Sequence, residues 1–288
     1  MTIIMDGKGL ARIIKERVSR EVAELKGRGV TPSLATILVG EDPSSHKYVS
    51  LKERDCAQVG IESRRYLFPA SVEEEDIIDL IEELNGDDGV HGILIQLPLP
   101  PHLDVFRLME RISPSKDVDG LHPYNMGRLL LGDYDFENSL IPCTPKGIIR
   151  LLDHYHVEVR GKYAVIINRS NIVGKPLYKL LLDRDATVTI CHSKTIDLTS
   201  HTRMADILVS AVGRRPTFTV TGDMVKEGAV VVDVGISYIG GRLVGDVEFE
   251  EVSKKASHIT PMPGGVGPMT RAILLENTLL AAKKVLGV

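Results

Sequence analysis

Tyr48 and Lys52 stand four residues apart in a stretch, 45–58, that reads as a helix, with Asp55 and Cys56 on the next turn. Side chains at i and i+4 share a helix face, so an aromatic ring and an amine sit side by side. The ring can stack on a flat substrate. The spacing equally suits a surface helix with Lys52 in water. Gln96 closes the apolar run 92–96 and is followed directly by Leu97-Pro98-Leu99-Pro100-Pro101. Proline cannot donate to a sheet ladder, so the strand ends near Gln96 and leaves its amide projecting from the C-terminal end. Open α/β sheets bind ligands at that edge, although a satisfied strand-end glutamine would read the same way. Asp117 and Asp119 lie in a polar turn, 114–120, facing opposite ways about Val118, so one carboxylate points inward toward a cation or N–H donors. Cys143 has no base within its own motif and reads as small apolar packing rather than a nucleophile.

A second constellation spans 161–176. Residues 163–167 form an apolar, β-branched strand, then a short polar loop leads into an apolar helix over 177–182. Strand, loop and helix in that order suit a pyrophosphate, because helix N-terminal N–H groups are unpaired and partly positive. Only one of the three glycines of a G-x-G-x-x-G fingerprint is present: Asn168 and Ser170 stand at the first two positions and Gly174 at the third. The strand 187–191 ends in Cys191-His192-Ser193, with no acid to hold a ribose 2′-hydroxyl. Arg169 offers a guanidinium and Ser193 a hydroxyl, which favours the 2′-phosphate of NADP over NAD. An ordinary crossover with Arg169 as a solvated charge remains open on these residues alone. The stretch 261–270 is dense in proline and glycine, stiff at the former and open to close ligand approach at the latter.

The elements that must carry these groups alternate. Helices are expected over 9–26, 45–58, from Ser71 as N-cap with Glu74 three residues on, from Thr144 as N-cap, and over 271–285. Strands are expected over 34–39, 92–96, 163–167, 187–191, 205–212, 229–236 and 258–260, with 133–139 as a linker. The chain has 288 residues and 43% hydrophobic content, room for about two α/β domains at ~150 residues each. A net charge of −4, no long basic run and no apolar stretch near ~20 residues argue against nucleic-acid and membrane partners. The first residues lack the pattern of a signal peptide, and Cys56, Cys143 and Cys191, odd in number and far apart, fit a reducing cytoplasm with neither disulfide frame nor metal site.

Six motifs stand together in order: Tyr48-Val49-x-x-Lys52, Gln96-Leu97-Pro98-Leu99-Pro100, Lys116-Asp117-Val118-Asp119-Gly120, Pro142-Cys143-Thr144-Pro145, Arg169-Ser170-x-x-Val173-Gly174-x-Pro176 and Pro263-Gly264-Gly265-Val266-Gly267-Pro268. In these the chain resembles, from end to end, the bifunctional methylenetetrahydrofolate dehydrogenase/methenyltetrahydrofolate cyclohydrolase family. The resemblance implies a two-domain α/β homodimer. A catalytic, folate-binding domain would span 1–139 with the C-terminal helix 269–288 packed back on it, and a Rossmann-like NADP-binding domain 140–268, with a cleft between them. It implies that NADP oxidises 5,10-methylenetetrahydrofolate and that the methenyl product is hydrolysed to 10-formyltetrahydrofolate, in cytoplasmic one-carbon metabolism that feeds purine biosynthesis. The partners are then tetrahydrofolate derivatives, polyglutamylated forms included.

By the same resemblance Lys52 is the catalytic lysine of the cyclohydrolase step, Tyr48 stacks on the folate, Gln96 orients and tunes the lysine, and Asp119 binds the pterin. Pro263, Gly264 and Gly265 contact substrate. Asn168, Arg169, Ser170, Ser193 and Ile236 contact cofactor. The family usually has glycine where this chain has Asn168. Asparagine tolerates a left-handed backbone, so the turn is expected to survive there at a cost in pyrophosphate approach. Arg54 replaces the family's lysine and keeps its charge. Two other readings stand beside this one: a dehydrogenase lacking the hydrolytic step or using another pterin carrier, and an NADP-binding protein without turnover.

Overall fold

The computed structural model describes residues 2–285. In chain order the elements are β1 (Ile3–Ile4), α1 (Gly7–Gly27), β2 (Ser33–Val39), α2 (Pro43–Val59), β3 (Glu62–Phe68), α3 (Glu74–Gly86), β4 (Gly92–Ile95), α4 (Val105–Arg111), α5 (Pro123–Leu131) and α6 (Cys143–His154). There follow β5 (Tyr163–Ile167), α7 (Gly174–Leu182), β6 (Thr187–Cys191), α8 (Leu198–Met204), β7 (Ile207–Ser210), β8 (Val230–Asp233), β9 (Ser237–Ile239), β10 (Arg242–Val244), α9 (Phe249–Val252), β11 (His258–Ile259) and α10 (Val266–Val285). The chain divides into two compact units, Arg12–Cys143 with Arg271–Val288, and Met1–Ala11 with Thr144–Thr270.

The first unit holds a three-stranded parallel sheet in the order β3-β2-β4. β2, Ser-Leu-Ala-Thr-Ile-Leu-Val, is buried at every position, as a central parallel strand covered on both faces must be. β3 is an edge strand and carries Glu62, Arg64 and Arg65, so its sequence lacks the continuous apolar run that would betray it. The core joins one face of this sheet to α3 through Ile37, Ile93, Ile77 and Ile81. α2 opens on Asp42, whose side chain accepts the Ser45 N–H at 2.7 Å, and closes at Gly60 with φ 85°. Asp117 pairs with Ile93 as a parallel bridge, so the polar turn lies alongside β4. Asp117 is the inward carboxylate: it is buried and accepts the N–H of Leu121 and His122 and the amide of Asn125 at 3.1, 2.8 and 2.8 Å. The partners that meet it are N–H donors.

The second unit is a six-stranded parallel sheet in the order β1-β11-β8-β7-β5-β6, with a β9–β10 hairpin turned by Gly240 and Gly241, both at positive φ. Its core runs through Val165, Leu208, Val231 and Ile259.

Several helix starts differ from expectation. α3 begins after Glu73 with no side-chain cap, so Ser71 lies outside it; Glu74, Glu75 and Asp76 crowd the first turn instead, where negative charge suits the helix dipole. α6 begins at Cys143, which puts Thr144 inside the helix, its hydroxyl 2.9 Å from that of Thr270. α10 begins at Val266, so helix absorbs the end of the glycine-rich stretch. α4 and α5 were not expected. α5 is capped by the ring of His122, which accepts the Tyr124 N–H at 2.9 Å, and histidine is outside the usual capping set. The 133–139 stretch is irregular, held by Asp135, whose side chain accepts the N–H groups of Glu137 and Asn138. Because Asp117 satisfies donors that water does not reach, Asp117→Ala should lower stability by about 2 kcal/mol or more, read as an earlier urea unfolding midpoint.

Candidate active site

In the first unit the chain leaves β2 to build β3 on one side through α2, then returns to build β4 on the other through α3. Connections diverge at such a point and leave a crevice at the strand C-termini. α2 starts there, and Tyr48 and Lys52 share its face by helix spacing. Gln96 follows β4 directly and its N–H still reaches Ile37 O at 2.8 Å, so the β2–β4 register fixes its position. Lys52 Nζ donates to Gln96 Oε1 at 2.9 Å, and Gln96 Nε2 donates to Leu97 O at 2.6 Å. The carbonyl of Leu97 therefore decides which end of the amide faces the lysine. Burial pushes the Lys52 amine below the ordinary lysine range; the charge of Asp119 and the thiols of Cys143 and Cys56 pull it back up, and Arg271 pushes it down. Tyr48, Lys52, Gln96 and Asp119 are thus gathered within one unit. An amine that can lose its proton, oriented by an acceptor that takes its N–H, is equipped to receive a proton from water.

In the second unit the same reversal occurs at β5, with β6 on one side and β7 on the other. A cavity of about 520 Å³ opens at their C-terminal ends. Asn168, Arg169 and Ser170 line it from β5, His192 and Ser193 from β6, and Val212, Arg214, Thr217 and Phe218 from the loop after β7. Two guanidinium groups and three hydroxyls suit phosphate oxygens, and the apolar walls at Ile167, Leu198 and Phe218 suit a flat ring. These groups fit a phosphorylated dinucleotide.

Residues 5–119 match the catalytic domain, and residues 142–286 the NAD(P)-binding domain, of tetrahydrofolate dehydrogenase/cyclohydrolase. The chain belongs to that family. It is 55% identical over 281 residues to the bifunctional protein FolD of Thermodesulfovibrio yellowstonii, covering 97% of this chain and 96% of that one. Its fold is similar to the bifunctional FolD dehydrogenase/cyclohydrolase of Campylobacter jejuni, with a TM-score of 0.95 and 49% identity over 99% of this chain and 100% of the other. The Trypanosoma brucei dehydrogenase-cyclohydrolase, solved with NADP cofactor and an inhibitor, gives a TM-score of 0.94 at 38% identity over 100% and 99% of the two chains.

Asn168 behaves differently from the expectation of a left-handed turn. Its backbone is not left-handed: His156, Asp185 and Asp197 are the non-glycine residues at positive φ among those described. Instead the side chain acts as a brace. Nδ2 donates to Ala211 O at 2.6 Å, while Oδ1 accepts the N–H of Ser170 at 2.7 Å and of Gly174 at 3.1 Å. Ile236 sits one strand further over, its backbone against Gly213, where a Cβ would meet Ile236 O at 3.1 Å. Pro263, Gly264 and Gly265 belong to the unit of the six-stranded sheet: the Met262–Pro263 bond is cis, Gly264 has φ 114°, and Gly264 O accepts the Lys8 N–H at 2.8 Å. His192, Arg214 and Thr217 line the 520 Å³ cavity without having been singled out. Their signal was present, since each follows the C-terminal end of a strand beside the switch point. At Gly174 a Cβ would lie 2.2 Å from the backbone oxygen of Asn168. Gly174→Ala should therefore part the loop and raise KM for NADP by about tenfold or more, a loss of at least about 1.4 kcal/mol of binding, in steady-state kinetics with the cofactor varied.

Proposed function

We propose that the two activities of this enzyme divide between the two constellations, with Lys52 as the base of the hydrolytic one. The chain is a bifunctional methylenetetrahydrofolate dehydrogenase and methenyltetrahydrofolate cyclohydrolase. NADP, when bound, supplies the acceptor for a hydride from the methylene carbon. For that step the protein must hold two flat rings in line rather than move protons, so positioning dominates. Arg169, Arg214 and the Ser193 hydroxyl would hold the phosphates, and the Asn168 brace keeps the loop that carries Arg169 in place.

Hydrolysis demands more of the side chains. A water adds to the methenyl carbon and loses a proton. The adduct's hydroxyl then loses its own proton to become the formyl C=O as the carbon–N5 bond breaks, and N5 takes up one proton, so that one proton is released overall with the 10-formyl compound. Lys52 takes the proton from the attacking water. Gln96 holds its amine so that the lone pair points away from the amide, toward substrate. Tyr48 stacks on the pterin and Asp119 binds its polar edge, Pro263, Gly264 and Gly265 are further substrate contacts, and Ile236 is a contact of the cofactor. The observation that carries this reading is the Lys52–Gln96 hydrogen bond at 2.9 Å around an amine whose proton affinity is lowered by burial.

The wider setting follows the same reading. Cys56, Cys143 and Cys191 are buried thiols, which supports a reducing cytoplasm. No described helix is long and apolar enough to cross a membrane. β3 ends its sheet with one side unpaired and Leu67 exposed, which supports association with a second copy as a homodimer. Polyglutamylated folates as substrates, and supply of 10-formyltetrahydrofolate to purine biosynthesis, complete the proposal. The test follows absorbance of purified wild type and Lys52→Met, first with methylenetetrahydrofolate and NADP, then with methenyltetrahydrofolate alone. Hydrolysis should fall by about 10²–10⁴-fold, the range for loss of a general base, while the NADP dissociation constant stays at the wild-type value. Normal hydrolysis by the variant would remove Lys52 from the mechanism.

A further inference from the structure

Asp246 lies two residues past β10, outside every motif named above, and it is fully buried. Its Oδ2 accepts the Ser210 hydroxyl at 2.8 Å and the Val212 N–H at 2.7 Å; its Oδ1 accepts the Gly213 N–H at 2.9 Å. The carboxylate is itself anchored. The Asp246 N–H donates to Asp233 Oδ1 at 2.9 Å, and the Val247 N–H to Asp233 Oδ2 at 3.0 Å, with Asp233 the last residue of β8. Gly235 leaves the room this needs: a Cβ there would fall 2.1 Å from Asp246 Cγ.

The segment that Asp246 grips, 210–213, is where β7 ends and the wall of the 520 Å³ cavity begins, at Val212 and Arg214. From its other side, Asn168 donates to Ala211 O and accepts from the first turn of α7. A continuous line of hydrogen bonds therefore crosses the C-terminal edge of the sheet, from β8 through Asp246 to the end of β7, and on through Asn168 to α7.

We propose that Asp246 is a positioning residue for the NADP cavity: its carboxylate fixes the backbone of 210–213 and, through it, the wall that faces Arg169 and Ser193. This rests on the reading of that cavity as the NADP site. Three donors converge on one carboxylate, and such charge-assisted bonds are the stronger kind. Beyond Ser210 the segment has no strand of its own, and Gly213 turns at φ 63°, so the carboxylate supplies the restraint that a sheet ladder would otherwise give. Asparagine at 246 keeps the shape but turns an NH₂ toward an N–H or hydroxyl donor, and part of the grip is lost.

The experiment measures, for full-length wild type and Asp246→Asn, the NADP dissociation constant by fluorescence titration, the dehydrogenase KM and kcat, and methenyltetrahydrofolate hydrolysis without NADP. The variant should bind NADP about tenfold more weakly, the worth of one hydrogen bond to a charged group, with hydrolysis unchanged. An unchanged dissociation constant overturns the proposal, as does a parallel fall in NADP binding and hydrolysis, which would mark a role in folding alone. If Asp246→Asn does not fold, Ser210→Ala removes one donor from the same carboxylate; it should weaken NADP binding about threefold, and wild-type affinity in that variant would refute the assignment. Wild type that fails to bind NADP at all would instead remove the reading of the cavity, before any variant is compared.

Discussion

The bond between Lys52 Nζ and Gln96 Oε1 is the constraint on which the proposed mechanism of hydrolysis depends. A lysine in water is protonated at neutral pH and has no lone pair to offer. Partial burial on α2 makes the charged form costly, while Asp119 limits how far that goes. Orientation is a separate requirement, and the sheet supplies it: Ile37 pairs with Ile95 across β2 and β4, Gln96 continues that ladder by one bond, and Leu97 O turns its amide. A change in register of one residue would flip Gln96 away from the lysine.

Both units solve their positioning problem by the same architecture. In each, a central parallel strand, β2 or β5, has its successors on opposite sides, and the chemistry-bearing groups gather where the connections part. The two sites differ in what the edge must provide. The first needs one amine in one orientation, which a helix face and a strand end can give. The second needs a wide surface for a long, charged ligand, and there the loops themselves must be held. Asn168 and Asp246 do this with side-chain acceptors and donors in place of ladder bonds.

Local chemistry made the first site legible in the sequence. Helix spacing joined Tyr48 to Lys52, and the proline after Gln96 marked a strand end, so the residues proposed for this site lie next to their own signals. Most of the parallel strands were legible as apolar runs: 163–167 and 187–191 match to the residue, while 205–212 and 229–236 each overrun their strand by four. β3 was not, because an edge strand with Arg64 and Arg65 has no uniform apolar run. α5 hid behind an unusual histidine cap, and Ser71 offered a capping box that the backbone does not use. At Asn168 the backbone conformation was the wrong property to weigh, since the side chain makes three hydrogen bonds and no left-handed turn is needed. Asp246 carries no local signal: its partners are 33 to 36 residues away, and only the folded sheet brings them to it.

The most direct test of the central claim is the pH dependence of methenyltetrahydrofolate hydrolysis by wild type, compared with Gln96→Ala. As the proposed base Lys52 acts as the unprotonated amine, so a lowered proton affinity moves the rise in rate to lower pH. The account predicts a single limb, rising with pH, whose midpoint lies below the ordinary lysine range in wild type, and a lower plateau in Gln96→Ala, where the amine is no longer oriented. A midpoint at the value of a lysine in water, or a plateau untouched by loss of Gln96, would contradict it.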